Sequence, residues 1–219
     1  GRLLDHIIDT HPATAALAAR HPDLHVVSYL NQLLDSLANT AGLDSVDLLT
    51  KDLHIWPDHH GNRSPLADPT LRGMVSGLSL SSDEKDLALL YLATVQALAY
   101  GTRHIIESLE AAGHRRLDCV LLCGGLSKNP LFVQTQATVV GRPVVVPRRT
   151  EAVLGGAAVL AAYAAEAYPT VEAAVTAMAG PADSVSPKVQ AIAFHNKKYQ
   201  VFLQMVKHQK EYRDIMSSA

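Results

Sequence analysis

One stretch of this chain, from Leu117 to Leu160, limits what the rest can fold into. It opens with Leu117-Asp-Cys-Val-Leu-Leu-Cys123, a short and nearly unbroken apolar run. Such a run suits a central strand buried on both faces. It stops at Gly124-Gly125, where the backbone can turn sharply and a ligand can approach with no Cβ in its way. Asn129 then suits a helix N-cap and Pro130 the first helical position, so a helix is predicted from there. Strand, diglycine turn and helix start place N–H groups at the carboxyl end of a strand, the edge where open α/β sheets take ligands. A diglycine after a strand is, on its own, equally a plain tight turn.

The sequel narrows the reading. Gly141 fits a helix end, and Arg142-Pro-Val-Val-Val-Pro147 reads as a second strand. Ala152 to Ala167 is an Ala-rich helix with Gly155-Gly156 near its start. Each glycine there costs about 1 kcal/mol of helix stability, so close packing against another backbone is expected of the pair.

Upstream, Gly1 runs straight into an amphipathic helix with Leu3, Leu4, Ile7 and Ile8 on one face. No Met precedes it, and the start reads as that of a piece cut from something longer. His11-Pro12 and His21-Pro22 punctuate further helices, and Val26 to Ala41 carries an apolar stripe closed by Gly42. Leu53 to Trp56 fits a short strand before a polar loop. In that loop Asp68 and Arg72 are expected to pair, and the Asn62-Arg63 tip to reach a cleft or a partner domain. Ser81-Ser-Asp-Glu84 matches a capping box for a long helix running from about Asp83 to Ala112. That helix is apolar on two faces and so belongs between layers. Near the end, residues 180–187 suit a linker, and Phe194 to Tyr212 an amphipathic helix that packs back on its own domain.

Composition excludes several function classes. Among the 219 residues 48% are hydrophobic and 18% charged, an ordinary globular balance. A net charge of −2 without a dense Lys/Arg patch gives nucleic acid and anionic membranes no support as partners. No apolar run reaches the ~18 residues of a membrane span. Cys119 and Cys123 lie four apart on the predicted strand, roughly 13 Å between Cα atoms, too far for a disulfide. They are read as buried and reduced, in a cytoplasmic protein. Asp58, His59 and His60 hint at a metal, but adjacent histidines in an extended loop point opposite ways and no H-x-x-x-H or Cys partner accompanies them; no metal ligand is assigned.

The order Cys123-Gly-Gly-Leu-Ser-Lys-Asn-Pro-Leu-Phe-Val-Gln134, then Gly141-Arg-Pro-Val-Val-Val-Pro147, then Thr150-Glu-Ala-Val-Leu-Gly-Gly-Ala-Ala158, resembles the C-terminal signature of the FGGY carbohydrate kinases. The resemblance implies an α/β fold of the ribonuclease H-like, actin-like ATPase class: a mixed sheet flanked by helices. It implies a C-terminal kinase domain over 1–179, with 180–219 as linker and closing helix on the same domain. It also implies ATP and Mg2+ as cofactors, a small sugar as substrate and a missing N-terminal kinase domain of the same chain as partner, with homodimerisation left open. By the same resemblance Gly124 and Gly125 lie against the adenosine end of the nucleotide, Ser127 contacts ribose or phosphate, and Asn129 stands at the adenine. Asn129 has a structural reading beside this, as the helix cap. Glu151 is expected to cap the helix that follows it. The phosphate loop Asp-x-Gly-Thr is absent from this sequence, and the family's catalytic base belongs to the N-terminal domain, so no catalytic residue is assigned. His60-Gly-Asn-Arg-Ser-Pro-Leu-Ala-Asp68 and the diglycine segment resemble the ribulokinase-like members, which phosphorylate D-ribulose. Other polyols and ketoses (xylulose, ribitol, glycerol) and a catalytically silent binding or regulatory module remain as alternatives. A Rossmann enzyme would need G-x-G-x-x-G, a spacing that Cys123-Gly-Gly-Leu-Ser-Lys lacks.

Overall fold

The computed structural model describes residues 1–148 and 151–217. Its central member is α4, Glu84–Ala111. Leu87, Tyr91, Leu92, Val95, Ala99 and Tyr100 of this helix are all nearly or fully buried, on more than one side. Asp83, rather than Ser81, is its N-cap, and its carboxylate accepts from the Asp86 N–H at 2.8 Å. The cap therefore lies two residues beyond Ser81, and the expected capping box does not close, because the Asp83 N–H goes to the Ser81 hydroxyl and the Asp86 carboxylate to His11 and Ser79. Asp is as good a cap as Ser, and Glu84 is drawn away to Tyr29 and Arg20.

Two cores form along α4. On its N-terminal half pack α1 (Arg2–Thr10), α2 (Pro12–Arg20), α3 (Val26–Thr40) and α5 (Pro130–Val140). Leu4, Ile8, Leu30, Leu34, Leu92 and Phe132 fill the space between them. On its C-terminal half, β1 (His54–Trp56) and the long closing helix α8 (Val189–Ser217) bring Trp56, Tyr199, Phe202 and Met205 against Ala99 and Tyr100. The Trp56 and Phe202 rings lie 4.4 Å apart between centroids. Burying each such side chain contributes about 1.5–3 kcal/mol, so truncating Leu92 or Phe202 to Ala would cost roughly 2–5 kcal/mol.

Helix α8 is also fastened by polar groups. Lys198 Nζ donates to the Thr50 carbonyl and hydroxyl at 2.6 Å each and to Gln96 Oε1 at 2.7 Å. His195 Nε2 stands 3.3 Å from Asp47 while its Nδ1 meets the Tyr100 hydroxyl at 2.8 Å. Burial works to raise the Asp47 carboxyl, but the His195 contact and the Ser45 hydrogen bond outweigh it and hold the group low. Farther along, Arg213 pairs with Asp68 at 3.0 Å. Asp68 thus reaches α8 rather than Arg72, whose guanidinium turns to the Pro69 and Leu71 carbonyls. A partner 145 residues away has captured the carboxylate that local spacing assigned to Arg72.

The sheet is small and mixed. Strand β3 is Val120–Leu121 and β4 is Val144–Pro147, parallel to it with Val120 opposite Val144. Strand β5, Ala182–Val185, runs antiparallel on the far side of β4, so part of the stretch expected as linker is a strand. The order is β3-β4-β5, with α5 crossing between the parallel pair and packing Val133 and Ala137 on Val144. A separate antiparallel pair joins β1 to β2, Met74–Ser76.

Four expectations fail on this sheet and its flank, among them the burial of the two cysteines. β3 is an edge strand instead of a central one, with Leu121 70% exposed and Cys119 and Cys123 both exposed and free. The apolar run is suited to burial, but no described residues cover its outer side. Helix α6, Ala152–Ala164, contains no buried residue, and a Cβ on Gly155 or Gly156 would meet nothing within 4 Å. The diglycine there permits a close approach that nothing described makes. Glu151 sits at the N-cap of α6 without a side-chain capping bond. Small helix α7, Val171–Met178, packs against α6.

Candidate functional site

The diglycine turn is built as the spacing demands. Gly124 has φ 93° and ψ −171°, a region essentially closed to residues with a Cβ. Residues Gly125–Lys128 follow as one 3₁₀ turn, pinned by the Ser127 hydroxyl, which donates to the Gly124 carbonyl at 2.7 Å. Asn129 then caps α5, accepting from the Leu131 N–H at 3.2 Å, and Pro130 fills the first helical position.

Beside this turn lies a cleft of about 450 Å³ between α1, the start of α3, Tyr91 of α4 and the start of α5. Gly125, Lys128, Asn129, Asn31, Tyr91 and Asp5 are among its lining. Of the four residues expected at a nucleotide, Gly125 and Asn129 border the cleft; Gly124 and Ser127 do not and serve the turn behind it. A Cβ on Gly125 would meet no other atom within 4 Å, so the position is open.

Asn129 is 9% exposed and enters a closed ring of side-chain hydrogen bonds. Its amide nitrogen donates to the Tyr91 hydroxyl at 2.7 Å, the hydroxyl donates to Asn31 Oδ1 at 3.0 Å, and Asn31 Nδ2 donates to Asn129 Oδ1 at 3.0 Å. Burial pushes the Tyr91 phenol up to about 12, so it stays a neutral donor and acceptor throughout the physiological range. Sequence reasoning missed Tyr91 and Asn31. Tyr91 falls on the core stripe of α4, where an aromatic looks the same whether or not its hydroxyl is used, and Asn31 carries no local signal at all.

Two helix starts converge on the cleft. At the α3 start, His25 Nδ1 accepts from the Ser28 N–H at 3.3 Å and meets the Ser28 hydroxyl at 3.0 Å. At the α5 start stand Lys128 and the Asn129 cap. N–H groups and partial positive charge at such ends favour electron-rich ligands.

A second cleft, about 720 Å³, adjoins the first through Asp5, which lines both. Here Asp58, His59 and His60 face His6 and Asp9 of α1. His59 is tucked over Gly73, where a Cβ would collide with its ring, and its Nδ1 lies 3.2 Å from the Pro57 carbonyl. Asn62 braces this loop by donating to Asp58 at 2.8 Å and accepting from the Leu66 N–H at 2.9 Å. Burial raises the Asp58 carboxyl and the Asn62 bond opposes the rise. Among the described residues no group of three or more His, Cys, Asp or Glu is placed to hold a metal ion. Nor is any described helix long and apolar enough to cross a membrane.

Comparison with known proteins identifies the family. The FGGY family of carbohydrate kinases, C-terminal domain, matches residues 1–165. The human FGGY carbohydrate kinase domain-containing protein is 51% identical over 219 residues, covering 99% of this chain and 39% of that protein. A D-ribulokinase of Saccharomyces cerevisiae is 38% identical over 171 residues, covering 77% of this chain and 24% of the yeast protein. The chain therefore spans about two fifths of the length of the human relative it matches. Among solved structures, xylulose kinase from Rhodospirillum rubrum superposes with a TM-score of 0.63 at 22% identity, over 85% of this chain and 38% of that one. Plasmodium falciparum glycerol kinase with ADP gives 0.56 at 15%, over 80% and 37%. The fold is thus that of the sugar kinases, and the chain belongs to the FGGY family of carbohydrate kinases through its C-terminal domain.

Proposed function

We propose that this chain is the nucleotide-binding C-terminal half of an ATP-dependent kinase acting on a ketopentose, D-ribulose, to give D-ribulose 5-phosphate. The observation that carries the reading is the cleft itself. An open glycine, Gly125, faces it beside the oriented amide of Asn129, at the carboxyl end of β3. A flat base can lie on such a turn because no Cβ stands in its way. In this reading Gly124 and Ser127 hold the turn, and Gly125 and Asn129 touch the adenosine end of ATP. The choice of D-ribulose rests on the likeness to the yeast D-ribulokinase.

Residues 1–179 form the kinase domain in this reading, and 180–219 close it through β5 and α8. Mg2+ would enter with the nucleotide phosphates, since among the described residues no group of three or more His, Cys, Asp or Glu is placed to hold it. When bound it neutralises charge on the transferred phosphoryl group. The residues of this chain orient the nucleotide and supply no assigned base. The exposed apolar side of α6 and the open edge of β3 fit a surface that a further N-terminal portion covers, and that portion would carry the base and most sugar contacts.

The test is phosphoryl transfer from ATP to D-ribulose, D-xylulose, ribitol and glycerol, by this chain and by the longer polypeptide that contains it. Turnover of D-ribulose by the longer polypeptide alone supports the reading. Turnover by the 219-residue chain, or preference for another of these sugars, overturns the corresponding part.

A further inference from the structure

The hydrogen-bond ring around Asn129 has one self-consistent orientation, and a backbone group sets it. The Leu131 N–H can only donate, so the side-chain atom facing it at 3.2 Å is the Asn129 oxygen. The Asn129 nitrogen is then the atom 2.7 Å from the Tyr91 hydroxyl. That hydroxyl accepts there, so its single proton goes to Asn31 Oδ1 at 3.0 Å. Asn31 in turn directs its nitrogen to the Asn129 oxygen at 3.0 Å. With Leu131 and Asn31 both donating to it, the Asn129 oxygen has used both lone pairs. Unused within the ring are one amide N–H each on Asn129 and Asn31 and one lone pair each on Asn31 Oδ1 and the Tyr91 hydroxyl, so Asn129 itself has only hydrogen left to give.

We infer that Tyr91 and Asn31 are positioning residues that lock Asn129 with its spare amide N–H, and not its oxygen, offered to the cleft, where it donates to an acceptor atom of a bound base. This rests on the reading of the cleft as a nucleotide site. Asn31, Tyr91 and Asn129 all line the cleft, so the ring forms part of its wall. A flipped Asn129 would set its nitrogen against both the Leu131 N–H and the donating Asn31 amide, two donor–donor contacts at once. The lock is therefore enforced by mismatch as well as by attraction. Tyr91 supports it from α4 and Asn31 from α3, so the orientation of one side chain depends on three elements meeting.

The test compares ADP with inorganic diphosphate, which lacks the base, by calorimetry on wild type, Tyr91→Phe and Asn31→Ala. The expected result is a wild-type preference for ADP that falls about tenfold in Tyr91→Phe, with diphosphate affinity unchanged. Asn31 is partly exposed, and its substitution checks the same ratio should Tyr91→Phe fold poorly. A merely structural role would move the melting temperature, or both affinities together, and leave the ratio alone; that outcome overturns the inference while leaving the nucleotide site standing. Absence of ADP binding by the wild type overturns the nucleotide reading and this inference with it.

Discussion

Asn129 donates its side-chain amide to the Tyr91 hydroxyl at 2.7 Å, joining the N-cap of α5 to the N-terminal half of α4. One residue thereby caps a helix, ties two helices together and borders the candidate cleft. Asn129→Ala removes the cap and leaves Tyr91 and Asn31 short of partners, at a cost of about 1–3 kcal/mol. Asn129→Asp keeps the cap oxygen but loses the donor. Thermal denaturation should show Asn129→Ala melting clearly below Asn129→Asp. Equal melting of the two would mean that the cap contributes nothing.

Gly124 and Gly125 are adjacent and should respond oppositely to a methyl group. Gly124→Ala forces a Cβ onto φ 93°, ψ −171°, at a cost of about 1–3 kcal/mol. Gly125→Ala meets no atom within 4 Å and should change stability by less than about 0.5 kcal/mol. Urea unfolding of the two variants reads the contrast directly. A Gly124→Ala protein as stable as wild type would contradict the turn geometry.

Lys198 gives the fold a pH dependence. Burial pushes its ammonium from 10.5 down to about 7, against the pull of Asp47 and Asp52. Between those two values the unfolded chain holds the proton and the folded chain does not. The contribution of this group to stability therefore rises with pH across that window. The stability difference between wild type and Lys198→Met should shift in favour of wild type from pH 7 to pH 10. A flat difference would show that Lys198 keeps its ordinary value in the fold.

Helix α6 carries Val153 and Leu154 at 88% and 68% exposure. In this chain Leu154→Glu should cost less than about 0.5 kcal/mol, because the leucine is not buried. In the longer polypeptide proposed above, the same change should cost about 2 kcal/mol or more, because a charge would enter a covered face. Equal effects in both would remove α6 from the interface with the N-terminal portion.

Much of this molecule was legible in its sequence, for physical reasons that also mark where legibility ends. Helices α4 and α8 are long and carry apolar residues at helical spacing, and Asn129-Pro130 announces the start of α5 through groups that act locally. The same is true of the diglycine turn. The apolar run at β3 was read as a central strand because a run of residues records suitability for burial, not whether the covering layer is present. Strand β5 was hidden in a Gly-, Pro- and Ser-rich stretch, where pairing with β4 outweighs weak strand propensity. The Asp68–Arg213 pair and the Asn31–Tyr91–Asn129 ring join residues 38 to 145 positions apart, and no local pattern encodes such meetings. Two of the four expected site residues border the cleft, and the two residues that orient Asn129 emerged only from the packed structure.

The central claim is that the diglycine turn and Asn129 form a nucleotide site, and calorimetric titration of ADP into this chain, beside Gly125→Val, tests it most directly. The account predicts one saturable site in the wild type and at least tenfold weaker binding in Gly125→Val, with the melting temperature preserved because the valine points into open space. No binding by the wild type, or equal binding by a folded Gly125→Val, would contradict it.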